Sequence, residues 1–223
     1  MFGELLYITQ NHEKAARQIL SYLQREPREK YVIAIAGDSG TGKSGIAHTL
    51  SRFLKQEGTP AKVLHIDNFY KVSPKQRSSW RRARGIESIG LSEYDWDCIN
   101  GAIDDFRNDR ESTLPFIDMR TDQVDTLITD FDGLPYLIIE GLYTLEANAD
   151  LKVFIDLSYR EVISAQVLRG KETLDEFRME VLEQEHKVVQ ALKSEADLIV
   201  TKEFNVIPAP DGRMAGQVAA GSG

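Results

Sequence analysis

Cysteine is nearly absent: the chain of 223 residues has only Cys98. An intramolecular disulfide is therefore excluded, and a reducing compartment fits. Histidine is also scarce, and His12, His48, His65 and His186 show no metal-ligand spacing with one another or with the cysteine. No stretch of 18 apolar residues occurs, and the N-terminal region lacks a basic segment followed by an apolar core. The expectation is a soluble, unprocessed, cytoplasmic protein. Positive charge is in deficit, with 27 Lys and Arg against 35 Asp and Glu, a net charge of −8. That balance argues against general affinity for nucleic acid or an anionic membrane surface, so any anionic ligand must meet a local basic cluster.

What the chain does contain is a complete G-x-x-x-x-G-K-[ST] phosphate-binding loop. Gly37, Asp38, Ser39, Gly40, Thr41, Gly42, Lys43 and Ser44 follow the apolar run 31–36 and precede Gly45 and a helix-compatible stretch. Glycines let consecutive backbone N–H groups curl around phosphate oxygens, and the next helix turns its positive end to the same anion. Lys43 would reach the β and γ phosphates, and Ser44 would ligate Mg²⁺. The cofactors implied are ATP and Mg²⁺.

Further strand candidates lie at 62–66, 136–139, 151–155 and 198–200, each a short apolar run separated from the next by helical patterning. This predicts an α/β fold of the P-loop NTPase type: a parallel sheet of about five strands with helices on both faces. Helices are expected over 11–25, capped by Asn11, after the loop to about Gly58, and over about 98–108 and 173–193. One domain over 1–207, with a nucleotide-binding core from 31, and a disordered tail over 208–223, rich in Ala, Gly and Pro, complete the expected organisation.

In open α/β sheets ligands gather at the carboxyl ends of strands. Asp67 and Glu140 both occupy such positions, in His65-Ile-Asp-Asn-Phe-Tyr70 and Ile138-Ile-Glu-Gly141. A loop lysine, a hydroxyl and two carboxylates would assemble a Mg²⁺–triphosphate site, with Ser44, Glu140 and Asp67 as candidate metal ligands and one carboxylate free to accept a proton.

The loop, the Asp-Asn-Phe-Tyr segment and Ile-Ile-Glu-Gly, in that order and spacing, resemble the uridine kinase and phosphoribulokinase family of P-loop kinases. The likeness runs from about Tyr31 to Val200 and includes Leu114-Pro-Phe-Ile-Asp118, Phe154-Ile-Asp156 and Glu195-Ala-Asp-Leu-Ile-Val200. It implies an ATP-dependent kinase for a small-molecule hydroxyl, with Asp67 as general base and Lys43 and Arg169 as the other catalytic residues. Tyr70 would line the acceptor pocket, and Glu140 would be the second metal-associated carboxylate. Asp95, with Asp97 as the alternative, stands where the family binds its acceptor. The resemblance leaves a homo-oligomer open.

Several residues depart from the nucleoside-kinase pattern. The Phe-Asp-His-Pro-Asp motif is absent, Ile117 and Asp122 stand where a tyrosine and a histidine are expected, and the lid region, about 165–178, keeps only Arg169 of several arginines, with Lys171 and Arg178 as helpers. Between Lys71 and Arg84 there are six cations and no acid, a cluster suited to an anionic acceptor such as a sugar phosphate, with Arg82 as its chosen contact and Trp80 as a ring that could stack. A nucleotide-dependent switch or ATPase is the alternative class. No Asn-Lys-x-Asp guanine-reading motif supports it, and Asp130-Phe-Asp-Gly133 is a weak match to D-x-x-G.

Overall fold

The computed structural model describes residues 6–25, 28–118, 121, 123–168, 175–210 and 212. Its centre is β1 (Tyr31–Gly37), a strand buried at every position. A strand covered on both faces reads as a continuous apolar run, and Tyr-Val-Ile-Ala-Ile-Ala is one. Around it stand β2 (Ala61–His65), β5 (Tyr136–Glu140), β6 (Leu151–Ile155), β7 (Leu198–Val200) and β8 (Val206–Pro208), in the order β2-β5-β1-β6-β7-β8. The first five are parallel to their neighbours, and β8 closes the far edge antiparallel to β7. A separate antiparallel hairpin joins β3 (Glu111–Asp118) to β4 (Gln123–Asp130).

Alternation along β1 sorts the core into two layers. Ile33 and Ile35 face α1 (Gln10–Leu23) and α2 (Lys43–Gln56), packing with Ile19, Ile46 and Leu50. Val32, Ala34 and Ala36 face α4 (Trp96–Arg107) and α6 (Glu176–Ala191), with Ile103, Phe106 and Val189. Each fully buried Ile or Leu contributes roughly 1.5–3 kcal/mol relative to exposure. The other helices are α3 (Pro74–Arg84) and α5 (Tyr159–Leu168). No helix among the described residues is long and apolar enough to cross a membrane.

The structure corrects several expectations. α1 starts one residue before Asn11 and is capped at Thr9, whose backbone N–H donates to His12 Nδ1 at 3.1 Å. The proposed tail begins inside the sheet: Pro208 ends β8, and Ala209 is buried, donating its N–H to Asp197 O. Residues 211 and 213–223 lie outside the described residues, as do Arg169, Lys171 and the lid between 169 and 174. The hairpin was not anticipated as paired strands. Val124, Leu127 and Ile128 of β4 are exposed, so no buried face imposes an alternating pattern on that strand.

Helix α3 is tied to α6 by a buried ionic network. Arg81, 5% exposed, grips Glu93 through Nε and Nη2 at 2.6 and 2.8 Å, and its Nη1 reaches Glu185 at 3.0 Å. Arg178 adds a 3.6 Å contact to Glu185. Burial pushes the Glu185 carboxyl up, against the pull of Arg81 and Arg178. Removing the central cation would leave buried Glu93 without a cation and Glu185 with only the 3.6 Å contact to Arg178. Arg81→Ala should therefore lower unfolding free energy by about 3–5 kcal/mol, measured by urea denaturation.

Candidate active site

The loop leaves the carboxyl end of β1 and turns into α2 at Gly42, which has φ +98. That conformation disfavours any side chain, and an added Cβ would also meet His12 Nε2 at 2.5 Å. No side chain caps α2, and its first turn carries no acid. The amides and positive end of the helix are thus offered to an external anion, which is the fit a triphosphate requires. Lys43 Nζ donates to the Asp38 carbonyl at 2.7 Å, and the Thr41 hydroxyl donates to the same oxygen at 2.9 Å. The Asp38 carboxylate accepts from Tyr159 N at 2.9 Å and lies 2.6 Å from His186 Nδ1. This binds the loop to α5 and α6.

Parallel pairing of β2 with β5 puts His65 opposite Glu140 in register. Their side chains meet there, and Ser44 Oγ donates to the same Glu140 oxygen at 2.8 Å. Burial pushes the Glu140 carboxyl up, yet the His65 hydrogen bond and charge, Lys43 and Ser44 outweigh it and hold the group below its ordinary value. The neighbouring His48 ring, 5.2 Å from His65, is pushed down by burial and by the charge of His65. Among the described residues no group of three or more His, Cys, Asp or Glu is arranged to hold a metal ion. One hydroxyl and one carboxylate beside a triphosphate nevertheless suit Mg²⁺, which keeps much of its water.

Asp67 lies on the single 3₁₀ turn, Ile66–Phe69, that follows β2. The turn sits against the exit of β5 because Gly141 has φ +156 and lacks a side chain. A Cβ there would fall 2.1 Å from Ile66 Cγ1. Tyr94 OH donates to Asp67 Oδ1 at 3.3 Å. Burial, and then the Glu140 charge, push the Asp67 carboxyl above its ordinary value, while Arg77, Lys43 and the Tyr94 hydrogen bond pull the other way. Lys43, Ser44, Glu140 and Asp67 thus come together.

On the acceptor side, Tyr70 stacks on Tyr94 with ring centroids 4.0 Å apart, and the Arg77 guanidinium lies 3.3 Å over the Tyr70 ring. Asp95 is exposed and caps α4, accepting from Cys98 N at 3.0 Å; Asp97 is exposed in the first turn of that helix. The chosen contact Arg82 points elsewhere: it meets Asp175 at 3.3 Å and lies 3.7 Å over Phe177, at the start of α6. Trp80 is covered by Arg84, 4.5 Å over its ring. Sequence reasoning missed His65, Tyr94, Arg77 and His186. Only His65 left a signal, as the last residue of a strand that pairs in register with the strand of Glu140.

The profile of the Phosphoribulokinase / Uridine kinase family matches residues 32–202. The chain belongs to that family. It is a P-loop kinase, a phosphotransferase. It is 27% identical over 193 residues to a bifunctional alpha-galactosidase/sucrose kinase of Mediterraneibacter gnavus, covering 79% of this chain but 20% of that protein. A uridine kinase of Staphylococcus epidermidis is 24% identical over 182 residues, covering 76% of this chain and 86% of its own. Among solved structures, one described as a possible uridine kinase from Bacillus stearothermophilus superposes with a TM-score of 0.63 at 18% identity, over 86% of this chain and 99% of that one.

Lys43→Ala should weaken binding of a fluorescent, non-hydrolysable ATP analogue about 10- to 100-fold, the loss expected for hydrogen bonds to a charged group. Equilibrium titration with Mg²⁺ present checks it.

Proposed function

We propose that this kinase phosphorylates a hydroxyl of a small metabolite in the cytoplasm, with Asp67 as the general base. The observation that carries the reading is the position of Asp67: one oxygen takes the Tyr94 hydrogen bond, and the carboxyl stands beside Glu140, Lys43 and the mouth of the loop. Gly37 to Gly45 would hold the triphosphate, and Ser44 and Glu140 would hold Mg²⁺. When bound, Mg²⁺-ATP supplies the transferable phosphoryl group and neutralises part of its charge.

The chain's own residues account for the remainder. Asp67 accepts the proton of the acceptor hydroxyl as that oxygen becomes nucleophilic, a contribution of about 10² to 10⁴ in rate. A carboxyl held above its ordinary value is a stronger base than a solvated one, and the Tyr94 hydrogen bond fixes its orientation. Lys43 counters charge on the phosphates. Arg169, outside the described residues, is the arginine the family resemblance implies for the transferring group, a role in which one positioned arginine contributes about 10³ to 10⁵.

The family relatives act on different hydroxyls, as their names show: sucrose in one and uridine in another. Ile117 lies where a nucleoside kinase would place a tyrosine, so a sugar or other small alcohol is favoured over uridine. The decisive experiment is ADP release with Mg²⁺-ATP across nucleosides, free sugars, sugar phosphates and small hydroxy acids. Stimulation by one acceptor class is expected; release indifferent to every acceptor would instead mark an ATPase or switch.

Asp67→Asn should retain ATP-analogue affinity and lose about 10² to 10⁴ in acceptor-dependent turnover. Normal turnover would mean that another group takes the proton. Tyr94→Phe tests the electrostatics. The hydrogen bond favours the charged carboxylate, so its loss raises the pKa of Asp67. The base form is needed for activity, and the acid limb of kcat/KM should move to higher pH than in the wild type.

A further inference from the structure

Five of the six cations between Lys71 and Arg84, all but Lys75, divide into distinct groups by their partners. Lys71 donates to Ser92 O at 3.0 Å, Arg81 is held by Glu93 and Glu185, Arg82 by Asp175 and Phe177, and Arg84 lies over Trp80. Arg77 differs. Its Nε and Nη2 are buried and have no hydrogen-bond partner among the described residues. These two nitrogens form one edge of the guanidinium, with parallel N–H groups spaced for the two oxygens of a carboxylate or phosphate. One turn along the same helix, Arg81 uses the same edge to hold Glu93. The Arg77 fork is built alike and has no protein acid in it.

Its position is equally specific. The guanidinium is fixed 3.3 Å over Tyr70, Tyr70 is stacked on Tyr94, and Tyr94 donates to Asp67. Three more buried polar atoms in the neighbouring segments lack partners among the described residues: Asn68 Oδ1, Tyr143 OH and Thr144 Oγ1. Tyr143 packs edge-on against Tyr94 at 5.6 Å. Burying such groups unmatched is costly, and unmatched polar atoms in the segments that follow β2 and β5 accord with a polar ligand at these strand ends. A cleft of about 510 Å³ runs from Ser44, His65 and Asn68 toward the hairpin residues Leu114 and Leu127, and neither Asp67 nor Arg77 lines it.

We propose that the acceptor carries an acidic group, phosphate or carboxylate, held in a bidentate clamp by the Nε/Nη2 edge of Arg77 while its hydroxyl faces Asp67. This makes Arg77 the specificity-determining residue of the basic helix, in place of Arg82. The inference rests on the kinase reading above and deepens it. Tyr70 serves as the platform that holds the guanidinium plane, and a lysine at 77 would keep the charge and lose the fork.

The test compares matched acceptors that differ only in the acidic group: a pentose with its 5-phosphate, and glycerol with glycerate. The wild type should favour the acidic member, and the pair that responds distinguishes phosphate from carboxylate. Arg77→Gln should raise the KM for that acceptor about 10- to 100-fold, the range for losing a hydrogen bond to a charged group. Affinity for a non-hydrolysable ATP analogue should stay within about twofold, RT ln 2 being far below that loss. Arg77→Lys should recover only part of the KM. Asp67-dependent phosphorylation that favours the neutral members, the pattern a sucrose-type acceptor gives, overturns this inference and leaves the kinase reading standing. A KM unmoved by Arg77→Gln, or a loss confined to ATP affinity, also overturns it. No acceptor-dependent turnover in either pair or in the wider panel overturns both readings.

Discussion

The active centre depends on keeping one buried carboxylate ionised. Glu140 has 5% of its surface exposed, and an acid taken that far out of water stays charged only where protein groups replace the hydration it loses. His65 and Ser44 do so from two directions, one from the adjacent strand and one from the first turn of α2. The same charge then acts outward on Asp67 and raises its affinity for a proton. One ionised group thereby joins the sheet to the phosphate loop and raises the proton affinity of Asp67.

A second ionic centre serves a different purpose. Arg81, Glu93, Glu185 and Arg178 lie between α3 and α6, remote in sequence and joined through well-formed contacts. Buried ion pairs contribute little net stability compared with apolar packing, but they tolerate few alternative arrangements. Their value here is positional, since Tyr70 and Arg77 belong to the segment that this network anchors. The aromatic stack depends on helix α3 sitting in one place.

Much of the framework was legible in the sequence because its signals are local. The phosphate loop is contiguous, β1 and β5 are short apolar runs ending in chemistry, and the helices on either side repeat at helical spacing. The positions of Asp67 and Glu140 followed from strand ends alone. What escaped was information carried by pairing between distant segments. Nothing local distinguishes Arg77 from Arg81 or Arg82, because the distinction lies in Glu93, Glu185 and Asp175 on other elements. Asp95 carried a capping signal as well as a family position, and the structure uses the capping one. The edge strand β8 was missed because it is only three residues, Val206–Pro208, too short to show a period, and its assignment rests on backbone pairing with β7.

The resting partner of Lys43 has a kinetic consequence. Its ammonium leans on a neutral carbonyl of its own loop, whereas Arg81 is committed to two carboxylates. Exchanging a carbonyl for a phosphate oxygen breaks no ion pair and strands no counter-charge, so the barrier to capture is small. Had Lys43 been locked to an acid, every arriving nucleotide would first have to dislodge a competitor. The loop instead keeps its principal cation ordered and held by a neutral group, so a phosphate oxygen can replace that carbonyl without breaking an ion pair.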